Sequence, residues 1–350
     1  MSGERPSDGA LRRILWITLL SAAASAVYGW LAHAAVLGGA AALGGAVVGA
    51  INAGVLAWLE LIVLGRWVDA RLQRLPFLAF LGLRVAVYLV VVLTIAAVSL
   101  PLLNSRVRGL QVDRADVFFA FSMCVAANVL LAVDQLLGSG ALLAFVAGRY
   151  RRPRREERII LYLDLRGSTS IAERLGEERF LDLLNAFFVD VTEPIERDGG
   201  EVHKYVGDEV IAAWPATADA ALPIAACFSA ADRIEQQADV YRRAFGLVPG
   251  FRAAIHAGPV VIGELGARKK EIALIGDAMN TAARILEAAR ETGADVLVSA
   301  AVFDRLRAPP ADVAARRLAP IPVRGKAAPL QLVALTRAAL SAAPAQAMRA

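Results

Sequence analysis

Two aspartates, Asp164 and Asp208, stand where the chain is expected to turn and where a side chain can project freely. Carboxylate oxygens are hard ligands, and Mg²⁺ in proteins is commonly held by one or two carboxylates together with substrate phosphates. Two such ions can polarise a phosphate and activate an attacking hydroxyl group. Two aspartates in turns are by themselves more often plain turn formers. The chemistry therefore depends on the residues that surround them.

A short strand must position Asp164. The run Ile159–Leu165 is apolar and carries this aspartate near its end, which predicts a buried strand. Gly167 and two hydroxyl residues follow, and a helical pattern begins there. A carboxylate at the end of a strand and beside the start of a helix is well placed to contribute to a site.

A tight hairpin must position Asp208. Glu201–Val206 and Glu209–Trp214 predict two strands joined at Gly207 and Asp208. The other predicted elements are a long helix over Glu177–Arg197, a helical stretch over 218–245, strands over Phe251–His256, Pro259–Leu265 and Glu271–Leu274, and a helix over Ala278–Glu291. This order predicts a mixed α/β sandwich over 159–336, with helices on a largely antiparallel sheet, and a disordered tail over 337–350.

The composition divides the chain into two halves. Of the 350 residues, 57% are hydrophobic, which is too many for one ordinary soluble domain. A membrane-spanning helix needs about 20 mostly apolar residues. Four stretches qualify, at 14–36, 37–64, 77–103 and 117–137. We therefore predict a membrane domain over 1–147, built as an N-terminal four-helix transmembrane bundle.

Basic residues predict the orientation of this bundle. Arg12 and Arg13 precede the first span, and the basic run Gly148–Arg158 follows the fourth. The positive-inside rule then places the N-terminus and the catalytic half in the cytoplasm, in a multi-pass protein of the cell inner or plasma membrane. We interpret the run as a linker beside the lipid bilayer and expect no nucleic-acid partner, because it directly follows apolar segments. The scattered cysteines and histidines indicate neither a disulfide framework nor a zinc site.

Three charged residues fall inside the predicted spans, namely Glu60, Arg84 and Asp134. An unpaired charge in lipid is costly, so pairing or an approach to the headgroups is expected. We hypothesise that Arg84 pairs with Glu60 or with Asp134. The alternative, in which each side chain reaches the headgroups separately, stays open.

Three motifs surround the candidate residues: LDLRGST over Leu163–Thr169, KYVGDE over Lys204–Glu209 and IGDAMNTAAR over Ile275–Arg284. In this order and at this spacing they resemble the catalytic domain of the class III adenylyl and guanylyl cyclases, from about residue 158 to 335. Three matching motifs are far more specific than one. The resemblance implies attack of the ribose 3′-hydroxyl of ATP on the α-phosphate, which gives 3′,5′-cyclic AMP and pyrophosphate.

The resemblance also implies roles for single residues. Asp164 and Asp208 match the aspartates that hold two Mg²⁺ or Mn²⁺ ions in each site, and the backbone carbonyl of Leu165 would complete the metal shell. Asn280 and Arg284 match the pair that positions the ribose and stabilises the pentavalent transition state. They are four residues apart on a predicted helix and so share one face. A fixed guanidinium aimed at developing phosphate charge stabilises a transition state strongly.

The remaining implied roles concern phosphate binding and base choice. Lys326, in the sequence VRGK, matches the lysine that holds the terminal phosphates, and Arg252 matches a second phosphate-binding position. Lys204 matches the lysine that reads adenine. The partner position is Ala273, where the family commonly has Asp, Thr or Ser. Alanine offers no side-chain acceptor, so the substrate is expected to be ATP while the strictness of that choice stays open.

In the family, one site forms between two catalytic domains packed head to tail. One domain contributes the metal aspartates, and the other contributes the residues that match Asn280 and Arg284. This chain carries both sets, so we expect a homodimer with two equivalent sites. Four spans exceed what anchoring requires, which favours a contribution of the membrane helices to the dimer and regulation by the membrane domain.

Three alternatives remain. Ala273 leaves room for a guanylate or relaxed-specificity cyclase. The hairpin sequence Val206–Val210 is close to the GGDEF-type hairpin of diguanylate cyclases, which would need GTP and Glu209 as a metal ligand. A catalytically silent, nucleotide-binding membrane sensor is the third. Silent relatives usually lack a metal aspartate or the transition-state pair, and this chain lacks neither.

Overall fold

The structure is a computed structural model and describes residues 8–37, 40–59, 77–104, 114–137, 148, 150, 152–267, 270–306, 312–320 and 329–337. The chain divides into two compact units. Residues 10–140 form a helical unit, and residues 141–350 make up most of an α/β unit. The tail predicted to be disordered lies, apart from Arg337, outside the described residues.

Four helices make up the described part of the helical unit: α1 (Asp8–Leu37), α2 (Ala40–Leu59), α3 (Phe77–Asn104) and α4 (Arg114–Leu137). Among the described stretches, no helix is both long enough and apolar enough to cross a membrane. The predicted four-span transmembrane bundle is therefore not confirmed. Within the second predicted stretch, 37–64, residues 38–39 and 60–64 lie outside the described residues.

Glycine lets α1 and α2 approach each other closely. A Cβ atom built at Gly45 would clash with the backbone carbonyl of Ser25, and one at Gly49 would lie 2.5 Å from the Ser25 hydroxyl. The hydroxyl of Ser21 donates to the carbonyl of Gly49 at 3.3 Å. The small residues of α2 are thus used for backbone contact between helices.

Polar and aromatic side chains join α1 to α4. The Tyr28 hydroxyl donates to Asp116 Oδ1 at 2.8 Å, and His33 Nε2 lies 3.0 Å from the same oxygen. The Tyr28 ring also stacks on Phe119, with a centroid separation of 4.0 Å. Asp116 is partly buried, and these contacts link α1 to α4 through its carboxylate.

Arg84 is buried on α3, four residues before Tyr88 of the small cluster formed by Tyr88, Val92 and Cys124. Its two predicted partners cannot be placed with it. Glu60 lies outside the described residues, and the side chain of Asp134 is not described. The pairing of Arg84 therefore stays a prediction.

The α/β unit follows the predicted order of elements. Its elements are β1 (Arg154–Leu165), α5 (Ser168–Leu175), α6 (Glu177–Arg197), β2 (Glu201–Val206), β3 (Glu209–Pro215), α7 (Ala221–Gln236), α8 (Ala238–Phe245), β4 (Phe251–Leu265), β5 (Glu271–Ile275), α9 (Asp277–Thr292), β6 (Val296–Ser299), α10 (Ala300–Phe303), β7 (Val313–Arg317) and β8 (Leu332–Arg337). The sheet order is β2-β3-β1-β4-β6-β8-β7, with β5 added to β4. All pairs are antiparallel except β4 with β6, which confirms the α/β sandwich on a largely antiparallel sheet.

Strand β1 separates two hydrophobic cores. Leu161 and Leu163 pack in the core that contains Phe187 of α6, whereas Ile160 and Tyr162 belong to the core that α9 covers. Side chains alternate between the faces of a strand, so the next residue in the second series is Asp164. The candidate metal aspartate therefore lies on the α9 face of the sheet.

Three predicted boundaries differ from the observed ones. Strand β1 begins at Arg154 rather than residue 159, because residues 154–158 of the predicted linker pair with residues 258–262 of β4. The two strands predicted on either side of Gly258 form one continuous strand for the same reason: pairing with β1 carries the backbone through Gly258 and Pro259. The helical stretch predicted over 218–245 is two helices, which meet at Gln237.

Candidate active site

Asp164 lies one residue before the end of β1 and is only 3% exposed. In the register of the sheet it stands opposite Glu209 of β3 and Arg252 of β4. Directly opposed residues of neighbouring strands share one face. Strand β1 thus presents a buried carboxylate between an acidic and a basic side chain, on the face covered by α9.

Asp208 lies in the two-residue turn between β2 and β3, as the sequence predicts. Gly207 precedes it with φ +64°, a conformation that glycine adopts without a steric penalty. The amide of Leu165 donates to the carbonyl oxygen of Asp208 at 3.4 Å. This contact holds the turn against the end of β1. The structure thereby brings Asp164, Leu165 and Asp208 together at one end of the sheet.

Burial and the neighbouring carboxylates disfavour the ionisation of Asp164 and of Glu209. Burial raises the pKa of Asp164, and the neighbouring Asp208 raises it further, while a hydrogen bond from Arg290 lowers it. Burial and the charge of Asp164 raise the pKa of Glu209 to about 7. Charge of one sign concentrated in this way favours a bound cation.

Arg290 supplies a positive charge to this group of acids. Its Nε and Nη2 atoms both donate to Oδ2 of Asp164, at 3.2 and 2.7 Å. Arg290 lies in the last turn of α9, and its side chain is 51% exposed. Arg290 belongs to none of the three sequence motifs, so no sequence signal points to it. We call Asp164, Asp208, Glu209 and Arg290 the carboxylate corner.

Asn280 and Arg284 lie one helical turn apart near the start of α9, as predicted. Asn280 is exposed and Arg284 is half-buried. Within the described residues, neither side chain makes a hydrogen bond to Asp164 or Asp208 of the same chain. The same helix thus carries Arg290 into the carboxylate corner and leaves the predicted transition-state pair outside it.

Lys204 of β2 comes close to β5. Its Nζ atom lies 3.5 Å from each carboxylate oxygen of Glu271, and the two side chains are 50% and 44% exposed. Ala273 lies two residues farther along the same strand, opposite Gly263 of β4. We call Lys204, Glu271 and Ala273 the base edge. Glu271 was not identified from the sequence, because no motif points to it.

Two arginines lie beside the carboxylate corner. The Nε atom of Arg252 is buried and has no hydrogen-bond partner within the described part of the chain. Arg166, for which the sequence motifs predict no role, donates from Nε to the carbonyl of Phe251 at 3.0 Å and forms an ion pair with Asp295. Burial and the charge of Arg252 lower the pKa of Arg166. The predicted phosphate-binding Lys326 lies outside the described residues.

The carboxylate corner fits one class of metal ion. Over the described chain, no group of three or more His, Cys, Asp or Glu side chains is arranged to hold a metal ion by itself. Two adjacent aspartates fit an ion that completes its shell with substrate phosphate and water, as Mg²⁺ does.

Comparison with known proteins identifies a family that matches the α/β unit. Residues 151–335 match the family described as the adenylate and guanylate cyclase catalytic domain. This range covers more than half of the chain and includes all three motifs. The chain therefore belongs to this family by the extent of the match.

Two curated relatives and one solved structure extend the comparison. The chain is 34% identical over 344 residues to Adenylate cyclase 2 of Rhizobium meliloti (strain 1021), which covers 94% of this chain and 91% of that protein. It is 30% identical over 154 residues to an adenylate cyclase of Anabaena cylindrica, which covers 43% of this chain and 31% of that one. A bacterial light-regulated adenylyl cyclase superposes with a TM-score of 0.53 at 19% identity, over 65% of this chain and 66% of that chain. Likeness at that identity indicates a shared fold.

Proposed function

Because the chain belongs to the adenylate and guanylate cyclase catalytic domain family and is an enzyme of the adenylate cyclase type, we propose that it converts ATP into 3′,5′-cyclic AMP and pyrophosphate. The new bond joins the ribose 3′ oxygen to the α-phosphorus, and the broken bond joins the α-phosphorus to the pyrophosphate oxygen. The convergence of Asp164 and Asp208 at the end of β1 carries this proposal. Positioning and charge stabilisation are the main tasks in phosphoryl transfer.

We assign metal binding to Asp164, Asp208 and the backbone carbonyl of Leu165. Members of the family use divalent metal ions, and two Mg²⁺ or Mn²⁺ ions in each site are our proposal. When bound, such ions polarise the phosphate and lower the pKa of the attacking hydroxyl. The chain itself contributes fixed carboxylates, because β1 buries Asp164 and the Leu165–Asp208 backbone contact holds the turn beside it.

The transition-state pair is proposed to act across a homodimer. Asn280 orients the ribose, and the guanidinium of Arg284 faces the charge that develops on the α-phosphate. In support, both side chains lie on α9 outside the carboxylate corner of their own chain. A second copy packed head to tail would bring its α9 to this corner, so that each site takes the aspartates from one chain and the pair from the other.

Phosphate binding is assigned to Arg252, with Lys326 as a second cation. Arg252 lies opposite Asp164 in the sheet register. Its buried Nε donates to no acceptor in the described part of the chain. An arginine fork matches the geometry of phosphate oxygens. Arg166 keeps a further positive charge beside it.

The reaction is tested by product analysis. The purified full-length chain is incubated with ATP or GTP, and with Mg²⁺ or Mn²⁺, and the cyclic nucleotides formed are measured. We expect cyclic AMP from the wild-type chain and from the Asp304→Ala control, which removes an exposed acid, and none from Asp164→Ala. Absence of any cyclic product would overturn the proposal. Predominant cyclic GMP would establish the guanylate cyclase alternative instead.

The helical unit is proposed to attach the enzyme to a membrane surface and to influence dimer formation. Large apolar side chains are exposed on its helices, including Trp30, Leu31, Leu43, Val90 and Phe118. Apolar surface of this extent usually marks an interaction site. The similarity to Adenylate cyclase 2 also extends over almost the whole chain. Co-flotation of the full-length protein with lipid vesicles tests the attachment, and recovery of all the protein in the vesicle-free fraction would contradict it.

A further inference from the structure

In related cyclases one side chain commonly accepts a hydrogen bond from the adenine amino group. In this chain the matching residue is Ala273, whose side chain has no hydrogen-bond acceptor. A lysine alone recognises only one of the two polar positions on the pairing edge of adenine. If the chain selects ATP, a hydrogen-bond acceptor other than the side chain of residue 273 is expected close to Lys204. The described residues offer one candidate there, Glu271.

Glu271 is placed beside both residues that concern the base. It lies two residues before Ala273 on β5, and alternate residues of a strand project from the same face. Its carboxylate oxygens are both 3.5 Å from Lys204 Nζ, although the two residues are 67 positions apart in sequence. The sheet therefore sets an acceptor and a donor side by side at an exposed edge.

This donor–acceptor pair complements adenine. Adenine presents the 6-amino group as a donor and N1 beside it as an acceptor. A carboxylate can only accept hydrogen bonds and an ammonium group can only donate them. Glu271 would accept from the 6-amino group while Lys204 donates to N1.

Guanine reverses the pattern at both atoms. Its O6 is an acceptor and its N1 carries a hydrogen. The same pose would therefore set O6 against the carboxylate and N1–H against the ammonium group. A polar pocket rejects a mismatched analogue strongly because its own groups are left without partners.

We propose that Glu271 is the residue that selects adenine in this chain, in place of the acceptor missing at Ala273. The proposal rests on the proposed cyclase function and adds the residue that determines its substrate. Without nucleotide, Glu271 and Lys204 pair with each other. The base then exchanges that exposed ion pair for two directed hydrogen bonds, an exchange that costs little because the pair is solvated.

The test compares kcat/KM for ATP and for GTP in the full-length chain. Glu271→Ala should lower the ATP/GTP ratio by about tenfold or more, since hydrogen bonds to charged groups contribute at that level. Ala273→Asp in the same chain should restore the ratio, because it returns a carboxylate to the neighbouring position on the same face. A thermal melt of each variant shows whether the fold is retained.

A matched control lies one strand away. Glu264 of β4 pairs with Lys270 at 2.9 Å, so Glu264→Ala also removes an acid from an ion pair at this end of the sheet. It should leave the ATP/GTP ratio unchanged. An equal fall in the ratio for both variants would indicate a general charge effect and overturn the proposal.

Failure of this proposal and failure of the cyclase function give different results. If the wild-type chain forms cyclic AMP but Glu271→Ala keeps the wild-type ratio, the assignment of Glu271 is wrong and the function stands. If the wild-type chain forms no cyclic nucleotide, the function is overturned. Equilibrium binding of ATP and GTP to the same variants then decides the role of Glu271, and an unchanged ratio of dissociation constants contradicts it.

Discussion

The carboxylate corner and the base edge differ in how far their charged side chains are exposed to solvent. In the corner, Asp164 is 3% exposed and takes two guanidinium hydrogen bonds on a single oxygen. At the base edge, the Lys204–Glu271 pair is about half exposed, with both distances at 3.5 Å. Buried charges depend strongly on their partners, whereas exposed pairs contribute roughly 0–1 kcal/mol. Breaking the buried contact between Asp164 and Arg290 should therefore lower stability, whereas changes at the base edge should affect recognition of the base with little effect on stability.

The largest effect is expected at Asp208. Asp208→Asn should lower kcat/KM for cyclic AMP formation by about a thousandfold, since a catalytic metal supplies several kcal/mol of transition-state stabilisation. The free energy of unfolding should change little, because the turn is held by the backbone contact to Leu165. Steady-state kinetics and a denaturant titration measure the two quantities. Asp239→Asn, at an exposed ion pair, is the control. A similar activity for the two variants would contradict the assignment.

Removal of Arg290 should destabilise the metal-free protein. Arg290→Ala leaves the buried Asp164 carboxylate without its guanidinium, which should cost about 1–3 kcal/mol of unfolding free energy. Adding Mg²⁺ should recover part of that loss, because a bound cation offsets the same charge. Thermal melts with and without Mg²⁺ measure both effects. Arg242→Ala removes an exposed arginine–aspartate pair and should have almost no effect. Equal shifts in melting temperature for Arg290→Ala and Arg242→Ala would show that the contact with Asp164 stabilises the fold no more than an exposed ion pair does, and would contradict this prediction.

Removal of the Lys204 side chain should weaken recognition of the base without lowering stability much. Lys204→Ala should lower kcat/KM for ATP by about tenfold through loss of a charged hydrogen bond to the base. The free energy of unfolding should change by less than about 1 kcal/mol, because the ion pair with Glu271 is solvated. The comparison of the two regions is contradicted if this variant unfolds as readily as Arg290→Ala.

The smallest effect concerns His203, beside the base edge. Burial, with a further contribution from Lys204, lowers its pKa below the ordinary value of 6.5. The unfolded chain therefore binds the proton more readily than the native chain, and stability falls as pH decreases through about 6.5. His203→Gln should flatten the dependence of unfolding free energy on pH in that window. An unchanged slope would show that His203 does not titrate differently in the two states.

Local patterns predict the elements and the two aspartates well. Asp164 ends an apolar run, and Asp208 sits at the tip of a hairpin whose strand lengths and turn residues are visible in the sequence. Helix α6 likewise runs from Glu177 to Arg197, as its apolar spacing predicts. The two faces of β1 follow from alternation alone once the strand is recognised.

Long-range partners are what the sequence does not reveal. Arg290 is 126 residues from Asp164 and Glu271 is 67 from Lys204, so no periodic pattern links either pair. Gly258 and Pro259 are typical of a turn, yet pairing with β1 draws them into one strand. Tertiary pairing overrides local preference at this point.

The claim that one site needs two chains is tested most directly by complementation. A chain with Asp164→Ala and a chain with Arg284→Ala should each be inactive as homodimers. When they are co-expressed, half of the dimers are mixed and each mixed dimer has one intact site, so cyclic AMP formation should reach about a quarter of the wild-type level. Recovery near that level is the predicted result. An active wild-type chain with no recovery in the mixture would contradict a site shared between two copies.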